Sequence, residues 1–110
     1  MNDGNFRCRL RDSARILATG EDKIKYRLEK ALLDQFLLAN MVENNDIPEY
    51  FQRKHKEIVA KCTAKNSDGI GKVKATLHGK HGKTLSKIAS DIFDLHRQYE
   101  EYLMYGELPE

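Results

Sequence analysis

Lysine dominates one stretch of this chain. Between Lys61 and Lys87 stand seven lysines, His78, His81 and a single acid, Asp68. That segment carries +6, whereas the whole 110-residue chain carries +2. From Ile88 to Glu110, six acids against one arginine give −5. Positive charge gathered so densely on a nearly neutral chain is the pattern of a surface that meets an anion. Lys72, Lys74, Lys80, His81, Lys83, Thr84 and Lys87 are the first candidate contacts. A solvated loop gives the same count, so only geometry can turn the pattern into a site.

Arg7, Arg9, Arg11 and Arg15 make a second basic cluster, with Arg7, Arg11 and Arg15 spaced to share one helix face. Guanidinium grips phosphate through two parallel bonds and stacks on bases, so these three join the candidate nucleic-acid or anion contacts. The competing reading is internal. Asp91, Asp94 and Glu101 form an acidic stripe that the arginines can pair with, at about 0–1 kcal/mol per exposed pair.

Gly82-Lys83-Thr84 at a helix start invites comparison with a phosphate-binding P-loop. That chemistry needs a preceding strand and an earlier glycine, and Leu77 stands at the glycine position. What survives is simpler: free N–H groups at a helix start, with Lys80, Lys83 and Lys87 nearby, favour an anion. The same region has some helix-turn-helix spacing in Ala75, Gly79, Leu85 and Ile88. In that comparison Thr84, Ser86, Lys87 and Ser90 face DNA. Lys74 and His78, however, occupy positions where apolar residues belong.

Other chemistry is thinly represented. His78 and His81, or His55 and Cys62, lack the closely spaced partners of a zinc site, so no metal or cofactor is expected. Cys8 lies between Arg7 and Arg9, which favours a thiolate, but no histidine stands nearby in sequence. Glu100 and Glu101 are adjacent and diverge by about 100° on a helix. No catalytic constellation emerges.

The elements that position these residues are helical. Phe6, Leu10, Ala14 and Leu17 share a face over about 5–18. Gly20 breaks the pattern, and Thr19 to Asp22 resemble a cap with acids behind it. A second helix is expected to run to about Val42. Its inner face is Ile24, Leu28, Ala31, Leu32, Gln35, Phe36, Ala39 and Val42, widened by Leu33, Leu37, Leu38 and Met41. Glu43 to Asn45 read as a turn. Asp46-Ile47-Pro48-Glu49 reads as a helix start, leading to Phe51, His55, Ile58 and Cys62 on one face. That helix should fray near Lys65. A short helix is expected over Ile70–His78 despite Gly69 and Gly71. Thr84 is expected to cap a last helix, Leu85–Tyr105. Its core stripe is Leu85, Ile88, Ile92, Leu95, Tyr99 and Tyr102, joined by Ala89, Phe93, His96 and Leu103, and Gly106 ends it.

These readings converge on an all-α fold: a compact bundle of four main helices plus one short helix, mostly antiparallel. One domain over 1–110 is expected, with 106–110 a loose tail. Apolar runs are short, the longest being Phe36–Ala39, and the first residues carry no hydrophobic leader, so a cytoplasmic protein without membrane contact is expected. Cys8 and Cys62 are expected as free thiols. The tyrosines and methionine near the C-terminus suit core packing or a homodimer contact. The functional expectation is a small non-enzymatic nucleic-acid-binding or regulatory protein acting through its basic loop and helix start. The alternative is an adaptor or inhibitor of an acidic protein.

Overall fold

The computed structural model describes residues 4–21, 23–39, 47–64 and 71–109. Five α-helices occupy them: α1 (Gly4–Thr19), α2 (Ile24–Asp34), α3 (Glu49–Cys62), α4 (Lys72–His78) and α5 (Gly82–Tyr105). There is no strand among the described residues. The radius of gyration is 13.8 Å, close to the roughly 13 Å of a folded chain this long. The all-α expectation is met. No described helix is long and apolar enough to cross a membrane.

Each helix forms where its apolar residues recur on one face, and that face is buried. Phe6, Leu10, Ala14 and Leu17 of α1 are buried as expected. So are Phe51, His55, Ile58 and Cys62 of α3, and Leu85, Ile88, Ala89, Ile92, Leu95 and Tyr99 of α5. The helix α5 packs against α1, α2 and α3, while α4 packs on α2 and α3. Aromatic rings knit the core. Tyr99 meets Phe6 and Phe51 edge-on, with centroids 4.9 Å apart in both pairs.

Several boundaries differ from expectation. The second helix stops at Asp34, and a 3-10 turn, Phe36–Leu38, follows. Gln35 leaves the helical region at φ −131°, which lets Phe36 turn into the core and stack on His55, 4.4 Å between centroids. His55 Nε2 lies 2.9 Å from the Phe36 carbonyl. A carbonyl only accepts, so Nε2 carries the proton. Leu33, within α2, and Leu38, in the 3-10 turn, face solvent instead of widening the core. Phe93 is likewise partly exposed rather than a core residue. The cap expected at Thr19 does not form: Thr19 Oγ1 donates to the Arg15 carbonyl at 2.7 Å within α1, and Lys23 holds the cap position of α2. Asp22, the turn at Glu43–Asn45, the cap at Asp46 and the fraying near Lys65 lie outside the described residues, as do Met41, Val42, Gly69 and Ile70.

The start of α5 also moves. It begins at Gly82, two residues before the expected cap. His81 holds the cap position without a side-chain cap bond, and Thr84 sits inside the first turn. Gly82 has no Cβ contact within 4 Å, so steric crowding does not select glycine there. Gly71 precedes α4 at φ +88° and Gly106 follows α5 at φ +75°, the left-handed region where a side chain is strained. Gly106 N–H closes α5 on the Tyr102 carbonyl at 2.7 Å, as its position predicts.

Candidate basic surface and the α2–α4 groove

Short α4 and the start of α5 are joined by Gly79–His81, so the candidate lysines ride on two helix ends and one tight turn. Lys72 and Lys74 are exposed on α4. Lys80 is half-buried in the turn, and His81, Lys83 and Thr84 are exposed at the start of α5. None of these six has an ion-pair partner among the described residues. No acid stands in the first turn of α5.

Lys87 is different. Its ammonium donates to Asp91 Oδ1 at 2.8 Å, and that bond raises its pKa above the ordinary lysine value. Lys61 reaches the other oxygen of Asp91 at 3.5 Å. Two cations therefore share one carboxylate. Cys62 is buried beside them, and burial pushes its thiol up to about 11, although the charges of Lys80 and Lys61 pull the other way. Lys61, Lys80 and Lys87 thus gather around Cys62 and Asp91. The adjoining α3–α5 groove is balanced, with Lys54, Lys61 and Lys87 facing Glu57, Asp91 and Asp94.

The arginine stripe is largely internal. Arg7 donates to both oxygens of Glu100, at 3.0 and 2.9 Å, and holds that carboxyl below the usual glutamate range. Arg11 lies 3.3 Å from Asp12, and Arg15 4.0 Å from the same carboxylate. The partners differ from the expected stripe, since Asp94 and Glu101 pair with Arg97 instead. Glu100 is seventeen residues beyond Lys83, about 25 Å along the helix axis, so Arg7 does not join the lysines.

Both motif comparisons change. The segment before Gly82 is the helix α4, so the strand of a P-loop is missing. Two helices do flank a short turn, and Thr84, Ser86, Lys87 and Ser90 are exposed on α5. Yet α4 packs on α2 and α3 rather than mainly on α5, which is not the mutual packing of a helix-turn-helix pair.

A second basic surface was not legible in sequence. Where α4 lies against α2, a groove of about 410 Å³ is lined by Lys25, Tyr26, Glu29, Lys74, Ala75 and His78. It continues through Tyr26, Glu29 and Lys74 into a second hollow reaching Lys30, Leu33 and Asp34. The ammonium of Lys25 donates to His78 Nδ1 at 2.9 Å and lies 5.6 Å from the centre of the Tyr26 ring. Tyr26 is 55% exposed. Glu29 is 7% exposed, lines both hollows, and has no hydrogen-bond or ion-pair partner among the described residues. Lys25, Tyr26, Glu29 and Lys30 do not belong to the apolar face read from the sequence of α2, and only the packing of α4 beside them makes a groove. No group of three or more histidine, cysteine or acidic residues is placed to hold a metal among the described residues. No protein-family model, no curated protein and no solved structure matches the chain.

Proposed function

We propose that this protein binds nucleic acid through its α4 and α4–α5 lysines. The reading rests on one observation. Lys72, Lys74, Lys80 and Lys83 have no carboxylate partner among the described residues, whereas Arg7, Arg11, Arg15 and Lys87 each already have one. An unpaired ammonium can neutralise a phosphate and release the counterion condensed on it, whereas a paired one must first give up its carboxylate. His81 and Thr84 sit among these lysines at the uncapped start of α5, where free N–H groups and the helix dipole also favour an anion.

The test is binding to mixed single- and double-stranded probes across a salt series. Four phosphate contacts give a slope of log K against log salt of about −3. Replacing Lys72, Lys74, Lys80 and Lys83 together by glutamine should remove most of that slope. Arg7→Gln should leave it nearly unchanged. Affinity that ignores salt, or that survives the quadruple variant, refutes the reading. A protein contact is the second reading, and it draws on the exposure of Met104, Tyr105 and Leu108 beside the acidic end of α5. Sedimentation that shows a dimer disrupted by Met104→Glu would favour it.

A further inference from the structure

We propose that the α2–α4 groove is a nucleobase site, in which Tyr26 stacks on a base and Glu29 accepts a hydrogen bond from its exocyclic amino group. The inference rests on the nucleic-acid reading above and narrows it to unpaired nucleotides. In a duplex, the base faces are covered by their neighbours. A single strand offers them, and basic grooves with an exposed aromatic ring are how proteins hold such strands.

Three observations meet here. First, the space fits: about 410 Å³ lies within the roughly 300–1,000 Å³ of small-ligand clefts. Second, Tyr26 offers more than half its surface beside Lys25 and Lys74, with Lys30 one helical turn further along α2. Third, Glu29 has no hydrogen-bond or ion-pair partner among the described residues and lines the same walls, its carboxylate oxygens still in contact with solvent. Those oxygens are open to accept a hydrogen bond from a ligand N–H that enters the groove.

The carboxylate selects bases that carry an exocyclic amino group, and among the pyrimidines it separates cytosine from uracil. It accepts from the amino group of cytosine, as glutamate does when it reads that base. Uracil presents a carbonyl at the same position, and two acceptors repel. Phosphates on either side of the base would follow Lys74, Lys25 and Lys30, keeping clear of Asp34 at the far end.

The experiment uses the full chain and fluorescently labelled oligocytidine and oligouridine of equal length at neutral pH. The native protein should bind oligocytidine about fivefold tighter or more. Tyr26→Ala should weaken oligocytidine binding at least about fivefold, while Tyr26→Phe keeps the ring and the affinity. Glu29→Gln keeps the shape, and its amide can donate to uracil, so the preference should vanish. Circular dichroism confirms that each variant is folded, and exposed Tyr26 gives a readout even if Glu29→Gln is not. Competition by millimolar CMP that depends on Tyr26 would make a free nucleotide the ligand. Oligocytidine binding that CMP does not displace would assign the site to a strand. Equal binding of both oligomers, unmoved by Tyr26→Ala but lost on replacing the four lysines, overturns the groove and leaves the lysine surface standing. Equal competition by polyglutamate overturns it in favour of an acidic protein. No binding of either oligomer overturns both.

Discussion

The structure makes His55 a titratable group buried in an aromatic cage, and its protonation should weaken the fold. Phe36 stacks on the ring, Phe6 meets it edge-on at 5.9 Å, and Nε2 donates to the Phe36 carbonyl. Burial lowers the His55 pKa below its ordinary value, outweighing the bond to Phe36, which raises it. The folded state therefore holds the neutral ring while the unfolded chain protonates near pH 6.5. With the folded pKa depressed on a base, the unfolded state binds more protons as pH falls. Stability is full above about pH 6.5 and declines below it until the folded ring also titrates.

The size follows from linkage. One such group costs at most about 1.4 kcal/mol per pH unit. From about pH 7.5 to 5.5 the integrated loss reaches about 1.4 kcal/mol if the folded ring stays neutral throughout. His55→Gln retains an N–H donor for Phe36 and cannot titrate. It should cost roughly 1–3 kcal/mol near neutral pH, through lost ring contacts and a poorer hydrogen bond. Urea unfolding followed by helical circular dichroism at several pH values measures both proteins. Their stability gap should narrow, by up to about 1.4 kcal/mol, as pH falls from about 7.5 to 5.5. His78, His81 and His96 are present in both, so their contributions cancel in the difference. A gap that stays constant would refute the assignment of a buried neutral imidazole.

Two further outcomes test the packing. Cys8 is exposed, while Cys62 is buried with its thiol raised to about 11, so a thiol reagent near neutral pH should label Cys8 alone in the folded protein and both after denaturation. Phe51 is fully buried against Tyr99 and Tyr102, and Phe51→Ala should cost about 3–5 kcal/mol in thermal or urea unfolding. A cost below about 1 kcal/mol would contradict the aromatic core.

Helix periodicity alone determined that this chain is all-α and which faces of α1, α3 and α5 enter the core. Apolar residues recurring every three to four positions can bury together only as a helix, and that information is local. Left-handed Gly106 was equally legible, because a chain that must end a helix with positive φ selects glycine. The basic composition was also plain, but not which cations are free. Lys87 looks like Lys83 in sequence and is told apart by Asp91, four residues on, while Arg7 is taken by Glu100, ninety-three residues away. Tertiary contacts likewise decided where α2 stops, since His55 of α3 takes the Phe36 carbonyl and the ring that follows the helix. The groove between α2 and α4 belongs wholly to this second kind. Tyr26 and Glu29 acquire a shared environment only when a helix nearly fifty residues further along the chain lies beside them. Periodicity fixes which side of a helix is apolar, but the neighbour that side or its opposite meets is set by packing over long sequence separations.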